Sequence, residues 1–143
     1  MKEKMKEFYQ ALEKICGNKY FVLLFLPISV GFLLLYSYST SPLYINDAVD
    51  SAVFKTMGLA ILQGKIPYVD IFDHKGPIIY FIQALGQWLI PRRVGIFCLQ
   101  VIALFVTLLY LFKTSKLFLN NTLSFVTLLV TLYIYSGIIC EGN

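Results

Sequence analysis

The sequence predicts an all-α, polytopic membrane protein with about three transmembrane helices and two juxtamembrane helices in its first extracytoplasmic loop. The 143-residue chain is 58% hydrophobic and only 14% charged, which is too little charge to cover a water-soluble domain of this length. Three long stretches carry no charge at all, at 20–39, 94–112 and 117–140. About 20 helical residues at 1.5 Å each match a hydrocarbon core about 30 Å thick, so each stretch is a predicted span.

The N-terminal segment, 1–19, contains five lysines and three glutamates. Phe8, Leu12 and Ile15 recur at helical spacing, which predicts a short amphipathic helix on the membrane surface. Lysines flanking a span favour the cytoplasmic side. We therefore expect a multi-pass protein of the plasma (inner) membrane with a cytoplasmic N-terminus.

Residues 78–90 leave the topology open. They are apolar, but the run is short, contains Gln83 and Gln87, and ends at Pro91. If they span the membrane, Arg92 and Arg93 are cytoplasmic; if they lie along the outer surface, the positive-charge assignments reverse. Because 10–14 apolar residues rarely cross a bilayer alone, the preferred topology places 40–93 in one outer loop.

Several site classes receive no support from composition. The net charge of +4 is scattered, so no nucleic-acid partner is expected. The three cysteines lack paired spacing, which argues against a disulfide framework or a zinc site. His74 is the only histidine, which is poor evidence for a metal, so no metal site is predicted. We also predict no cofactor, although a divalent cation is left open.

The first half of the loop reads as a helix, "NDAVDSAVFKTMGLAILQG". Asn46 or Asp47 is a suitable N-cap, and Gly64 is a C-terminal stop signal. Asp47 and Asp50 lie one helical turn apart and share a face with Phe54 and Gly58. Either the two carboxylates cap the helix, or Asp50 acts as a base on a surface that meets a lipid-borne substrate.

The second helix begins at Gly76-Pro77, because proline is favoured at the first helical position. His74 and Lys75 then precede a helix N-terminus, where cations are unfavourable. Asp70 and Asp73 would neutralise them in a plain charged turn; alternatively, an anion such as phosphate completes the site. Pro67-Tyr68 is expected to hold the preceding segment extended.

The stretch "DSAVFKTMGLAILQGKIPYVDIFDHKGPIIYFI" resembles the first outer loop of the GT-C membrane glycosyltransferases, in particular the bacterial protein mannosyltransferase and lipid A aminoarabinose transferase group. The resemblance covers about a quarter of the chain. It is carried by these positions: Asp50, Phe54, Gly64, Phe72, His74, Lys75, Pro77 and Tyr80.

The resemblance implies an enzyme that takes a sugar from a polyprenyl-phosphate donor and passes it to an extracytoplasmic acceptor, which is a cell-surface glycan, lipid or protein. It implies that Asp50 is the catalytic carboxylate and that Lys75 lies near the donor phosphate. It also implies loop helices lying along the bilayer. The further candidate substrate-binding residues are Asp47, Tyr68, Asp73 and His74.

The sequence departs from this family in its length. Asn143 follows the third predicted span directly, whereas the family has many more spans, and Glu141 lies where a second acidic motif would begin. We therefore expect the N-terminal piece of a longer enzyme, inactive by itself. The alternative is a small non-catalytic membrane subunit of a polysaccharide assembly or export complex. Reading the DNA past codon 143 separates the two.

Overall fold

The computed structural model describes the backbone of residues 2–44 and 49–141, and the side chains within 3–44 and 49–138. Every regular element in these ranges is helical, which confirms the predicted all-α class. A short 3-10 helix, Phe21–Leu24, precedes the second α-helix. The α-helices of the described ranges are α1 (Lys2–Gly17), α2 (Phe25–Tyr36), α3 (Val49–Leu62), α4 (Pro77–Leu89), α5 (Arg93–Ser115) and α6 (Asn121–Glu141).

Two of these helices are long and apolar enough to cross a membrane. They are α5, with 23 residues, and the 18 residues Asn121–Ile138 of α6. A third candidate exists only if α1, the 3-10 helix and α2 count as one element, which is bent by 87° at its break. The described chain thus supplies two or three helices that can span a bilayer. The shorter α3 and α4 do not meet this test.

Helix α2 ends at Tyr36, earlier than the predicted limit of the first span. The chain turns at Ser37, whose hydroxyl lies 2.7 Å from the Thr40 hydroxyl. Both hydroxyls also hydrogen-bond the side-chain oxygen of Gln100 in α5. This buried polar cluster satisfies groups that would be costly to leave unpaired, and it attaches the end of α2 to α5.

The core lies between α2, α5 and α6, around Phe25, which is fully buried. The Phe25 and Phe112 ring centroids are 5.3 Å apart in an edge-to-face arrangement. Phe21 packs in the same way on Phe125, at 5.1 Å. Aromatic pairs of this geometry stabilise a fold by more than the burial of their apolar area alone provides. They join the 3-10 helix to the start of α6 and the start of α2 to the end of α5.

Helix α1 is fastened to the start of α6 by Glu13. The carboxylate accepts hydrogen bonds from the backbone and side-chain N–H groups of Asn121, at 3.0 and 2.7 Å. It also accepts from the backbone amide and hydroxyl of Thr122, at 2.9 and 2.7 Å. Because first-turn amides have no partner inside their own helix, Glu13 caps α6 from another element. The N-terminal end of α6 therefore lies on the same side as α1.

Helices α3 and α4 form a hairpin, and α4 also packs on the start of α5. A Cβ atom on Gly58 would lie 2.7 Å from the Cβ of Gln83, so glycine permits the close approach of α3 to α4. The Gln87 amide donates to the Lys55 carbonyl of α3 at 3.1 Å. At the other contact, a Cβ on Gly95 would overlap the carbonyl oxygens of Gly86 and Ile90.

Gly95→Ala is expected to destabilise the contact between α4 and α5, because the atoms in its way belong to backbone that cannot rotate aside. Overpacking of this kind costs about 1–3 kcal/mol. Thermal denaturation of the purified protein in detergent measures the effect. Gly31→Ala in α2 is the matched control, since its new Cβ meets nothing within 4 Å and its stability should not fall. Equal melting temperatures for the two variants would contradict the expected overlap.

Candidate functional site

Asp50 lies near the start of α3 as far as that helix is described, and its side chain is 61% exposed. Its Oδ2 atom is 2.7 Å from the Nζ atom of Lys75, which follows 25 residues later in the chain. The structure thus brings together the two residues for which the resemblance implied the main roles. The carboxylate is paired and still open to solvent.

Lys75 reaches Asp50 by crossing an aromatic ring. Its ammonium lies 4.5 Å from the ring centroid of Phe54, which is one helical turn after Asp50. A cation over an aromatic face is stabilised by the ring quadrupole. The Lys75 side chain is 28% exposed, less than half the exposure of its partner. The predicted face of Asp50, Phe54 and Gly58 is therefore the face that α3 turns toward α4 and its preceding loop.

The loop before α4 is turned rather than extended. Tyr68 has a φ of +66°, a left-handed conformation that is uncommon for a bulky residue, so the expected extended segment at Pro67-Tyr68 was wrong. Asp70 stabilises the turn by accepting a hydrogen bond from the Ile66 amide at 2.8 Å. Among the described residues, Asp70 forms no ion pair with His74 or Lys75, whereas Asp73 does contact His74, so the charged-turn interpretation is confirmed only for that pair. Pro67 and Ile71 form an isolated bridge across the turn.

Asp73 is held by its neighbours in the turn. Its Oδ1 atom accepts from the His74 backbone amide at 2.8 Å and lies 3.0 Å from His74 Nδ1. Its Oδ2 atom accepts from the Tyr80 hydroxyl at 2.8 Å. The Tyr80 hydrogen bond is the main cause that lowers the pKa of Asp73, followed among the lowering effects by the His74 amide. The carboxylate is thus ionised at neutral pH.

Tyr80 is fully buried, although it lies only one turn into α4. Its ring centroid is 6.3 Å from that of Phe54 and 6.3 Å from that of Tyr68. Burial, together with the hydrogen bond to Asp73, raises the pKa of Tyr80 to about 12. The hydroxyl therefore keeps its proton at neutral pH and remains a hydrogen-bond donor. Reasoning from the sequence placed Tyr80 in the resemblance pattern but assigned it no role at the site.

The predicted start of the second helix is confirmed. Pro77 opens α4 and Gly76 is its N-cap, with extended backbone angles. Glycine has no side chain that could accept from the first amides of α4, which leaves that end of the helix positive in character. The side chain of His74 is 82% exposed and contacts Asp73 rather than Asp50.

Two acidic candidates lie outside the described residues. Asp47 falls in the gap between 44 and 49, and the side chain of Glu141 lies beyond the described side chains. Within the described part of the chain, no three histidine, cysteine, aspartate or glutamate side chains come close enough to hold a metal ion.

The arrangement can perform acid–base and electrostatic chemistry. An exposed carboxylate can accept a proton from a hydroxyl within hydrogen-bond reach. The adjacent ammonium can stabilise negative charge on a phosphate, as oriented cations do at sites of phosphoryl or glycosyl departure. Both groups lie side by side where α3 meets the loop before α4, and both are partly exposed, so a single substrate could contact both.

Comparison of the chain with known proteins identified no relative. No protein-family model matches the chain, no curated protein is significantly similar to it, and no solved structure matches its fold.

Proposed function

We propose that this chain is part of an integral-membrane glycosyltransferase of the GT-C type, which moves a sugar from a polyprenyl-phosphate donor to an extracytoplasmic acceptor. The observation that carries the proposal is the Asp50–Lys75 pair, 2.7 Å apart across the face of Phe54. A potential base and a potential phosphate partner, distant in sequence, meet at one exposed position. The resemblance of this loop to that family supplies the reaction.

In the proposed reaction, the acceptor hydroxyl attacks the anomeric carbon of the donor sugar. Asp50 takes the hydroxyl proton as the new C–O bond forms. The bond from the anomeric carbon to the carrier phosphate breaks, and its electron pair leaves with the phosphate oxygen. Lys75 stabilises that developing charge, assisted by the positive end of α4.

The proposed topology has three spans: the 3-10 helix with α2, then α5, then α6. The 87° bend lets α1 lie flat on the cytoplasmic surface while α2 crosses. In this topology the start of α6, which Glu13 caps, lies on that side as well, and α5 returns there from the opposite side. Helices α3 and α4 then lie at the outer boundary, next to the start of α5.

The outward face of α4 supports a position in the outer interface. Its apolar side chains recur at helical spacing and are exposed on the protein surface: Ile78, Phe81, Ile82, Leu85, Trp88 and Leu89. The opposite face of α4 is buried on α3 and α5. A helix of 13 residues with one apolar face open to its surroundings fits an interfacial helix better than a span.

An apolar groove offers a surface to the isoprenoid part of the donor. It lies between α2, α5 and α6 and has a volume of about 510 Å³. Leucine side chains line much of it, and Ser37, Gln100 and Tyr135 lie in its wall. In the proposed topology the end of α2 at Ser37 is on the outer side, so the groove would begin on the same side of the membrane as the site.

Trp88 tests the proposed position of α4, since it is the only tryptophan in the chain and is 70% exposed. In bilayers containing brominated lipids, we expect its fluorescence to be quenched most by bromines near the headgroup end of the acyl chains. Interfacial helices bury their apolar face about 5–10 Å into this boundary.

A depth reference for this measurement is Ile102→Trp in a Trp88→Phe background, because Ile102 is an exposed residue near the middle of α5. That tryptophan should respond most to bromines near the bilayer centre. If Trp88 matched the Ile102→Trp profile, residues 78–90 would span the membrane and the proposed topology would be wrong. If no bromine quenched Trp88, α4 would face water.

The proposed activity is tested by a transfer assay. Membranes containing the product of the complete reading frame receive a radiolabelled sugar on a polyprenyl-phosphate carrier, and label in glycan, lipid and protein fractions is counted. Transfer that depends on the presence of this protein supports the proposal. Absence of transfer from a panel of hexosyl, pentosyl and aminosugar donors would argue for the non-catalytic subunit.

A further inference from the structure

Two tyrosine hydroxyls converge on one main-chain atom at the candidate site. The Tyr68 hydroxyl donates to the carbonyl oxygen of Lys75 from the first part of the loop. The Tyr80 hydroxyl lies 3.1 Å from the same oxygen and approaches from inside α4. The direction of a side chain depends on the position of its own backbone. Because two hydroxyls hold the Lys75 carbonyl in place, they also limit the positions that the Lys75 ammonium can occupy.

The Tyr80 hydroxyl has a second acceptor, Oδ2 of Asp73, at 2.8 Å. One proton is therefore shared between two residues of the turn, and the oxygen holds Asp73 and Lys75 at a fixed separation. The group is fully buried and keeps its proton, so this link is present throughout the neutral pH range. Buried hydrogen bonds of this kind specify one arrangement of a turn.

The tyrosine ring adds a second constraint. Tyr80 packs against Phe54, and Phe54 is the ring that supports the Lys75 ammonium. Tyr80 thus contacts the Lys75 backbone directly through its hydroxyl, and it contacts the ring of Phe54 that lies beneath the Lys75 ammonium. Neither contact reaches Asp50 directly.

We propose that Tyr80 is a positioning residue, which aims the Lys75 ammonium at Asp50 through hydrogen bonds to the Lys75 carbonyl and the Asp73 carboxylate. Tyr68 supports the same carbonyl from the exposed side. The consequence for sugar transfer rests on the function proposed above, whereas the consequence for the position of Lys75 does not. An ordinary buried tyrosine would affect the stability of the fold and leave the lysine where it is.

The test measures the reactivity of Lys75 directly. Reductive methylation of the protein in lipid nanodiscs, followed by mass spectrometry, gives the modification rate of Lys75 relative to exposed Lys65 in the same molecule. An ammonium held in an ion pair reacts slowly, so Asp50→Asn sets the rate for a released lysine. In Tyr80→Phe we expect a rise of roughly threefold to tenfold, the range expected for loss of one hydrogen bond.

Tyr110→Phe is the matched control, because Tyr110 is an exposed tyrosine on α5 and is remote from the loop. It should leave the Lys75 rate unchanged. Tyr68→Phe removes the other hydroxyl without emptying a buried space, and it provides a second variant should Tyr80→Phe fold poorly. We expect a smaller rise in the same direction.

Transfer kinetics complete the test. Tyr80→Phe should lower kcat while the KM for the donor changes less, since the ring and the binding surface stay in place. An unchanged Lys75 rate in Tyr80→Phe, alongside a raised rate in Asp50→Asn, would overturn the positioning role. A raised Lys75 rate in a protein without transfer would retain the positioning role and overturn the proposed function instead.

Discussion

Asp50→Asn is expected to reduce sugar transfer by roughly 10²- to 10⁴-fold, the range for loss of a general acid or base. Asparagine keeps the size of the side chain, but it carries no charge to hold the Lys75 ammonium and cannot take a proton from the acceptor hydroxyl. Because the Asp50 side chain is 61% exposed, the fold should tolerate the change. The rate is measured with saturating radiolabelled donor, and membrane insertion is checked by protease accessibility of the loop.

Asp70→Asn provides the control for this prediction. Asp70 lies in the same loop, and its carboxylate accepts one hydrogen bond from the Ile66 amide, which an asparagine oxygen can also accept. Its rate of transfer should stay within about twofold of the unaltered protein, as is usual for a surface change away from a reacting group. Transfer at full rate by Asp50→Asn would remove Asp50 from the catalytic role.

The architecture could be predicted largely from local signals. Gly64, with a φ of +83°, follows the end of α3, and Pro77 opens α4, because these residues act through their own backbone geometry. The charge-free stretches correspond to α2, α5 and α6. These could be predicted because the hydropathy of a segment depends only on its own residues. The predicted ends of the helices were less accurate: the third span was expected to begin at residue 117, whereas α6 begins at Asn121.

The connections within the site required tertiary structure. The charged-turn interpretation expected Asp70 and Asp73 to neutralise His74 and Lys75, yet Lys75 reaches Asp50 on another helix. That pairing depends on how closely α3 approaches α4, which Gly58 permits. No local pattern reports that distance.

The role of Tyr80 was missed for a similar reason. Apolar spacing identified the exposed face of α4, but it did not show that the tyrosine on the other face meets the turn preceding its own helix. Its spacing from Asp73 and Lys75, seven and five residues, could have suggested a hydrogen bond back to the turn. The left-handed conformation of Tyr68 could not be predicted from Pro67, because proline restricts its own backbone and that of the residue before it, not that of the residue after it.

Lys75→Met is expected to lower transfer by roughly 10²- to 10³-fold, the range for loss of one group that stabilises charge in a transition state. Methionine keeps much of the aliphatic stem over Phe54 and removes the ammonium. Lys75→Arg should recover part of the rate, because it restores the charge with a different shape. The rates are measured in the transfer assay used for Asp50→Asn.

A double variant that exchanges the two residues, Asp50→Lys with Lys75→Asp, tests whether the ion pair has a catalytic role or only attaches the loop to α3. If the 2.7 Å ion pair only holds the loop on α3, the double variant should regain the thermal stability lost by each single variant and also regain transfer. If the two groups have separate chemical roles, stability should recover without transfer, since the base and the cation have then exchanged places. Recovery of both properties would make the pair a structural contact and would leave the site without its proposed base.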